Sequence, residues 1–518
     1  MTSPTLIASR LTPEEGSERS ALLHPAVLLA ALAGLLVRWF RLGEQSLWVD
    51  EIFTWHNAEI GGVLSAGDVF STDHGPLLQV LLHVLGGWFG DSEFVMRFPS
   101  VIAGTLAVLV FAGLAARLLG REAAVPAAWC AALSPFLVWY GQEARNYAFA
   151  ILFSMAAIWA AVAWKERGGL RRGIVFTLCA WLGILSNLNV LLLLPVLFVY
   201  LLWPRGGGAV RPAAVLAAFL ALGALESPWI FDHVRRLDVV RLVPGREALP
   251  GEVPLRHGTT FTPMGYPFTA YVFSVGYTLG PPMSALHTSS PLRATLAYWP
   301  VLVPSALLFG WLGLSGLWGL RHRPRALWLS LAIVLVPTIL VTYFAMQNFK
   351  VFNPRYVSSG LAGYYLILVA GWLAQSSRGR LVATAGVVGL WGGSLLHLYY
   401  DPQFGREDFR PATVWLGAQA RPGDQLLAAG NYSPLDYYWR DREPRYEVFW
   451  LGYAADPATM RAKFEAQVDP GVRTWVVVSR PYLDDLEGRF EEYLRRERGA
   501  VRVEFSGVRI YRLSPEAP

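Results

Sequence analysis

The sequence predicts a polytopic α-helical membrane protein of about eleven transmembrane helices with a C-terminal extracytoplasmic α/β domain. Of its 518 residues, 54% are hydrophobic and 16% are charged, whereas about 25% of the residues of soluble proteins are charged. Residues 401–518 contain 36 of the 82 Asp, Glu, Lys and Arg residues. Residues 1–400 are therefore too poor in charge to be covered by water, and we expect lipid to surround them. Residues 401–518 form the second, soluble domain.

Long runs with few charges mark the predicted helices, because about 17–25 apolar residues are needed to cross the hydrocarbon layer. The predicted spans are 21–40, 100–116, 123–141, 148–164, 173–203 (two spans), 212–231, 296–320, 326–346, 356–374 and 381–400. At about 1.5 Å per residue, the run 173–203 is too long for one helix. We therefore divide it at Asn187. The shorter apolar run 77–90 is predicted to be an interfacial or re-entrant helix instead.

Basic residues indicate which loops face the cytoplasm, because Lys and Arg favour that side. The loops predicted to be cytoplasmic contain thirteen basic residues and only two acids, Glu122 and Glu166. The segments predicted on the outer side are 43–92, 142–147, 231–295, 348–355 and 401–518. In the last of these we expect strands at 425–429, 474–479 and 501–513 and helices at 406–420 and 481–498. It contains no nucleophile constellation and no phosphate-binding loop.

Four polar clusters in or beside the outer segments contain the candidate functional residues. They are the pair Asp50 and Glu51, the turn at His74 with the nearby Arg97, the junction with Gln142, Glu143, Arg145 and Tyr147, and the segment with Lys350, Arg355 and Tyr356. Adjacent carboxylates at a membrane interface are costly unless they are solvated, paired or bound to metal. An Asp beside a hydroxyl can act as a general base, and an arginine can form a bidentate pair with a phosphate.

Purely structural roles are alternatives for the same residues. They are a solvated loop start for Asp50 and Glu51, a capping turn for His74, interfacial anchors for Arg97, Arg355 and Tyr356, and an internal pair for Glu143 and Arg145. A further alternative is that Asp50, Glu51 and His74 bind a divalent metal ion, although no spacing rule predicts such a site.

The motifs in residues 21–400, and the order in which they follow one another, resemble those of the C-type glycosyltransferases. The motifs are Asp-Glu, His-Gly-Pro before an apolar helix, Arg-Phe-Pro-Ser, Tyr-Gly-Gln-Glu-Ala-Arg-Asn-Tyr and Pro-Arg-Tyr. The resemblance is strongest to the bacterial branch related to dolichyl-phosphate-mannose–protein mannosyltransferases and lipid A aminoarabinose transferases. Gly75-Pro76 replaces the usual paired prolines. The β-rich luminal module of the eukaryotic protein mannosyltransferases is not found, which argues against a protein acceptor.

This resemblance implies an inverting transferase in the bacterial cytoplasmic (inner) membrane. Its donor would be a polyprenyl-phosphate-linked sugar, and its acceptor a lipid, a glycan or a protein at the outer face. Asp50 matches the catalytic Asp and Glu51 its acidic neighbour, while Arg145 and Arg355 match the motif arginines. The charge of the departing phosphate would be stabilised by these arginines, by Lys350 or by a divalent metal ion.

Other classes of function are weighed against this one. No nucleotide cofactor is expected, because the donor contains its own leaving group and the sequence has no Gly-rich nucleotide loop. No basic stripe indicates nucleic acid. The alternatives are a transporter or flippase of a lipid-linked sugar, which would place its ionisable groups near the bilayer midplane, and a ligase of a preassembled glycan. Segments 231–295 and 401–518 are expected to choose the acceptor.

Overall fold

A computed structural model describes residues 20–65, 69, 75–203, 210–236, 261–282, 285, 291–347, 351–430, 432–449, 457–480 and 488–515. The helices up to residue 400 are α1 Pro25–Trp39, α2 Val49–Ala58, α3 Pro76–Phe89, α4 Glu93–Leu119, α5 Ala124–Leu133, α6 Pro135–Gly141, α7 Tyr147–Arg167, α8 Leu170–Ser186, α9 Leu194–Leu202, α10 Pro212–Arg236, α11 Gly265–Val275, α12 Pro291–Ala297, α13 Trp299–Leu320, α14 Pro324–Met346, α15 Leu361–Leu373 and α16 Ser377–Tyr400. Short 3₁₀ segments, Arg121–Ala123, Leu188–Leu193 and Pro354–Gly360, precede α5, α9 and α15.

Among the described helices, seven are long and apolar enough to cross a membrane, or eight if the bent pair Arg121–Leu133 and Pro135–Gly141 is one span. The prediction of a polytopic helical membrane protein is therefore confirmed. The predicted number of about eleven is higher than this. The difference arises because α1 and α8 have only 15 and 17 residues, which extend about 22–26 Å against a hydrocarbon core of about 30 Å. The segment Leu188–Leu202 is likewise short.

The break predicted near Asn187 is present. Helix α8 ends at Ser186, and the Asn187 side chain accepts a hydrogen bond from the backbone N–H of Asn189 at 2.9 Å. Gly75 packs directly against this break, since a Cβ at that position would lie 1.7 Å from the Ser186 carbonyl oxygen. A glycine before Pro76, rather than a second proline, is therefore required by the close approach of two backbones.

A second break, between α5 and α6, bends the chain by 56°. It frees carbonyl groups at the end of α5, and the buried Arg38 of α1 donates to those of Ala131 and Ala132, each at 2.9 Å. Gly104 and Gly141 leave room for this guanidinium group, because a Cβ at either position would lie within 2.7 Å of the Arg38 side chain. The break therefore sets the direction in which the chain enters the polar junction before α7.

The C-terminal domain is an α/β unit, as predicted. Its elements are α17 Phe409–Gln419, β1 Gln425–Gly430, α18 Pro434–Tyr438, β2 Tyr446–Phe449, α19 Pro457–Gln467, β3 Thr474–Ser479, α20 Arg489–Arg496, β4 Val501–Phe505 and β5 Val508–Leu513. The strand order is β2-β1-β3-β5-β4, with β1 parallel to β2 and β3, and β5 antiparallel to β3 and β4. The strand predicted at 501–513 is a hairpin that turns at Gly507, where φ is +72°. Elements α18, β2 and α19 were not predicted.

Candidate functional site

The two adjacent carboxylates lie in the first turn of α2. Negative charge is favourable there, because the backbone N–H groups at a helix N-terminus carry partial positive charge. Successive side chains of an α-helix point about 100° apart, so Asp50 and Glu51 face different surroundings. The structure gives them different partners.

Glu51 is completely buried and fully paired. Arg97 donates Nε–H to Oε1 at 2.9 Å and Nη2–H to Oε2 at 2.8 Å, and the N–H of Ala144 donates to Oε1 at 2.7 Å. Arg406 adds a bond from Nη1 to Oε2 at 2.9 Å. Burial alone would raise the pKa of Glu51, but Arg406 and Arg97 outweigh it and lower the pKa to about 2. This carboxylate therefore stays ionised and has no oxygen left for a substrate proton.

Arg97 does not extend to the interface, which was the structural alternative for it. Its side chain is buried and, besides pairing with Glu51, donates to the carbonyl oxygens of Leu42, Gln45 and Ser46 at 2.8–3.0 Å. It therefore joins the beginning of α4 to the loop that leads into α2. In this structure Arg97 holds the loop in place and does not face a ligand.

Asp50 lies between the two motif arginines. Arg355 donates Nη1–H to Asp50 Oδ2 at 2.8 Å, and Arg145 donates Nη1–H to the Asp50 backbone oxygen at 2.7 Å. The Asp50 side chain keeps 20% of its surface exposed. Burial alone would raise the pKa of Asp50, but the charges of Arg145, Arg355 and Arg480 outweigh it and hold the pKa below its usual range. Asp50 is thus an ionised carboxylate that solvent can reach.

Both motif arginines have hydrogen-bond donors to spare. Arg145 also contacts Thr54 Oγ1 at 3.1 Å, and Arg355 donates to Tyr356 Oη at 3.3 Å while lying 5.8 Å from the Tyr147 ring. The Nε–H groups of Arg145 and Arg355 are buried and have no partner among the described residues. Such an arrangement suits an anion that supplies acceptor oxygens.

Glu143 is buried and pairs with Arg406, not with Arg145 as the structural alternative supposed. Its Oε1 accepts from Trp139 Nε1 at 3.2 Å and lies 3.6 Å from Arg406 Nη2, while its Oε2 has no partner among the described residues. Burial is the main reason why the pKa of Glu143 is raised to about 7, and Glu51 and Asp50 add to it. Neighbouring Gln142 has a structural role, since its Nε2 donates to the carbonyls of Arg38 and Phe40 at the end of α1.

The metal hypothesis finds no support in the described part of the chain. No group of three His, Cys, Asp or Glu side chains there is placed to hold a metal ion. Glu51 does not fit such a site, because guanidinium groups occupy its oxygens. The third predicted ligand, His74, and the predicted phosphate ligand Lys350 lie outside the described residues.

Sequence reasoning missed the contribution of the C-terminal domain. Arg406 contacts Glu51 and Glu143, and Arg480 lies over the Trp48 ring at 5.3 Å. Residues 401–408 are rich in charge like the rest of that domain, so nothing in the local pattern distinguishes Arg406 from a solvated arginine.

Comparisons of sequence identify related proteins. Residues 73–231 match the sequence profile of the family described as dolichyl-phosphate-mannose-protein mannosyltransferase. An undecaprenyl phosphate-alpha-4-amino-4-deoxy-L-arabinose arabinosyl transferase of Pseudomonas aeruginosa is 31% identical over 224 residues, which are 39% of each chain. A protein of the same name from Pseudomonas paraeruginosa is 26% identical over 376 residues, 69% of this chain and 60% of its own. The chain thus spans 39% and 60% of the lengths of these two relatives.

Comparison of structures extends over almost the whole chain. The crystal structure of ArnT from Cupriavidus metallidurans in the apo state superposes with a TM-score of 0.57 at 14% identity, covering 94% of this chain and 97% of that one. The same protein bound to undecaprenyl phosphate gives a TM-score of 0.54 with the same coverage. The resemblance predicted from the motifs is therefore confirmed: the chain has the C-type glycosyltransferase fold, carries the dolichyl-phosphate-mannose-protein mannosyltransferase signature in residues 73–231, and is distantly homologous to the aminoarabinose transferases.

Proposed function

We propose that the protein is an inverting membrane glycosyltransferase that uses a polyprenyl-phosphate-linked sugar as donor and Asp50 as general base. The observation that carries this proposal is the placement of Asp50, an ionised and partly exposed carboxylate, directly between Arg145 and Arg355. The named relatives support the donor class, because both are described as acting with an undecaprenyl phosphate-linked aminoarabinose.

In the proposed reaction an acceptor hydroxyl attacks the anomeric carbon from the face opposite the phosphate. The bond between that carbon and the phosphate oxygen breaks, the proton of the hydroxyl passes to Asp50, and polyprenyl phosphate leaves. Arg145 and Arg355 stabilise the charge that develops on the leaving phosphate, through donors that include their unpaired Nε–H groups. The protonated Asp50 then returns its proton to solvent.

Binding of the donor would also make the Asp50 carboxylate a stronger base. The Asp50 carboxylate shares Arg355 with any phosphate that binds there. A phosphate that draws Arg355 toward itself removes part of the charge that keeps the pKa of Asp50 low. The base would then accept a proton more readily when the donor is present than when it is absent.

The side of the membrane on which the site lies and the class of acceptor are also part of the proposal. The site lies at the end of the bundle that contacts the C-terminal domain, and the loops rich in Lys and Arg favour the cytoplasm at the other end. We place the site at the outer face of a bacterial cytoplasmic membrane, with a lipid or glycan acceptor favoured over a protein. Lys350 and a divalent metal ion stay candidates for additional phosphate contacts.

Replacement of Asp50 by Asn tests the base. We expect Asp50→Asn to insert, to bind undecaprenyl phosphate, and to lose transfer by a factor of about 10²–10⁴. Transfer would be measured by mass spectrometry of envelope lipids and glycans from cells that make each variant. The matched control is Asp91→Asn, which removes a carboxylate that contacts Trp55 and Arg440 but no motif arginine. Transfer retained by Asp50→Asn would refute the base.

The transport alternative needs a separate measurement. Wild-type protein would be reconstituted in vesicles whose lipid-linked sugars are labelled. Formation of a new glycoside that depends on Asp50 supports the transferase. Movement of the labelled lipid to the other leaflet with no new glycoside would instead support a flippase.

A further inference from the structure

Arg406 belongs to the chain that joins α16 to α17, yet its side chain ends inside the candidate site. Its Nη1 lies 2.9 Å from Glu51 Oε2, and its Nη2 lies 3.6 Å from Glu143 Oε1. Its backbone N–H donates to Gln45 Oε1 at 3.3 Å. One guanidinium group thus contacts both the helix that carries Asp50 and the junction that carries Arg145.

The surroundings of Arg406 enclose most of its guanidinium group. The guanidinium carbon lies 5.7 Å from the Trp48 ring and 5.7 Å from the Trp139 ring, and 10% of the side chain is exposed. Two indole rings enclose the charged group, and both of its Nη atoms face carboxylates. Arg406 is therefore placed to hold other groups and not to bind a phosphate.

We propose that Arg406, supplied by the C-terminal domain, is a positioning residue of the active site: by bridging the buried carboxylates of Glu51 and Glu143 it locks the Asp50 helix to the Arg145 junction. The catalytic consequence rests on the proposed transferase function. The proposed attachment by Arg406 does not rest on that function, because it concerns only whether α2 and the junction 142–147 stay together.

Charge explains why a cation is needed at this position. Among the described residues, the site contains five guanidinium groups and four carboxylates, those of Arg97, Arg145, Arg355, Arg406, Arg480, Asp50, Glu51, Glu143 and Glu407. With Glu143 ionised, as it is in part at a pKa of about 7, one positive charge is left over for a phosphodiester. Loss of Arg406 removes that excess and deprives Glu143 of its ion-pair partner, which makes an ionised Glu143 costly in a medium of low dielectric constant.

This reasoning predicts a specific rescue. Replacing Glu143 by Gln in the absence of Arg406 removes the uncompensated carboxylate and restores the excess positive charge. If Arg406 acted only as a clamp between domains, the second substitution would not help. Rescue therefore separates charge compensation at the site from domain docking.

The experiment compares four full-length variants with the wild type: Arg406→Gln, Arg406→Lys, the double variant Arg406→Gln with Glu143→Gln, and Arg410→Gln. The last is a matched control, because Arg410 also joins the C-terminal domain to the outer loop, through Glu93 and the Gly43 carbonyl, without contacting Glu51 or Glu143. Hydrogen exchange of residues 49–58 and 142–147 is measured for each in detergent, together with transfer.

We expect Arg406→Gln to increase exchange in both segments and to lower transfer by about 100-fold, since a misplacement of about 1 Å has that effect. Arg406→Lys should recover part of the loss. Its ammonium group restores the positive charge but is too compact to contact both carboxylates at once. The double variant should recover at least ten-fold in transfer. Arg410→Gln should leave exchange at 142–147 unchanged.

The outcomes separate the two proposals. If hydrogen exchange of residues 49–58 and 142–147 is unchanged in Arg406→Gln, the positioning role is overturned, whatever reaction the protein catalyses. Increased exchange with unaltered transfer, in a protein that Asp50→Asn inactivates, overturns its catalytic relevance. Equal losses in Arg406→Gln and the double variant overturn charge compensation. Absence of transfer by the wild type refutes the proposed function, and retained transfer in Asp50→Asn refutes its base; in either case the exchange result decides the positioning role.

Discussion

Asp50 and Glu51 are neighbours in the chain but differ in what their carboxylates contact. Glu51 has no exposed surface and pairs with two arginines and a backbone N–H, whereas Asp50 is partly exposed and its carboxylate pairs with Arg355. A carboxylate that is saturated with donors serves to hold structure. A carboxylate with a free oxygen can take a proton, which is why the base is assigned to Asp50.

This difference predicts that two amide substitutions lower stability by different amounts. Glu51→Gln should lower the free energy of unfolding by about 3–5 kcal/mol, because it leaves Arg97 and Arg406 buried without their shared partner. Asp50→Asn should cost clearly less, since Arg355 keeps 26% of its side chain exposed. Thermal unfolding in detergent measures both, and a Glu51→Gln protein as stable as the wild type would contradict the prediction.

The raised pKa of Glu143 predicts how stability depends on pH. Its value of about 7 lies above the 4.5 of an ordinary glutamate, so the folded protein holds this proton where the unfolded chain has lost it. The resulting stabilisation is present at low pH and is lost as the pH rises from about 4.5 through 7. Relative to Glu143→Gln, the wild type should therefore lose up to roughly 3 kcal/mol between pH 4.5 and 8. Parallel melting curves across that range would argue against the shift.

At the scale of helices, the sequence predicted one break and missed another. The break at Asn187 followed from length and from basic residues at both ends of the run 173–203. The 56° bend between α5 and α6 was missed, because 123–141 is one continuous apolar run. Ser134 nevertheless caps α6 and Pro135 is its first residue, which is a local signal for a break. Arg38 of α1 stabilises the bend, since it satisfies the carbonyls that the bend exposes.

Arg38 should therefore be essential for this bend. Arg38→Met keeps much of the volume but removes the donors to Ala131 and Ala132, and buried carbonyls without partners cost about 1–3 kcal/mol each. We expect a lower melting temperature and weaker undecaprenyl phosphate binding, since the junction with Arg145 follows the bend. Arg41→Met is the control, because Arg41 lies at the same end of α1 with a third of its side chain exposed. Equal effects of the two substitutions would contradict this role.

At the scale of the whole molecule, the C-terminal domain is part of the site's support. Tyr438 Oη accepts from the Leu47 N–H at 2.6 Å and donates to Glu93 Oε1 at 2.9 Å, which ties the domain to both ends of the outer loop. Several further contacts join the two parts, among them Arg410 with Glu93 and Arg440 with Asp91. The expectation that this domain helps to choose the acceptor stays a prediction, and its contacts add a supporting role.

Loss of the Tyr438 hydroxyl should weaken this attachment. Tyr438→Phe removes two hydrogen bonds and should speed proteolysis in the connecting segment 401–408, with about 1–3 kcal/mol lost. Tyr511→Phe is the comparison, because the Tyr511 hydroxyl bonds to Glu491 inside the domain. If both variants were cleaved equally fast, the loss would reflect instability of the domain itself and not of its attachment.

The sequence by itself determined the membrane class, most helix positions and the α/β nature of residues 401–518, and it selected Asp50, Arg145 and Arg355 as candidate site residues. These features follow from composition, apolar run length and short motifs, all of which are local in the chain. Only the tertiary structure decided that Glu51 is saturated, that Glu143 pairs with Arg406, and that Arg406 belongs to the site at all. Arg406 and Glu51 are 355 residues apart, and a contact over that distance depends on how the folded helices pack, which no local pattern of residues encodes.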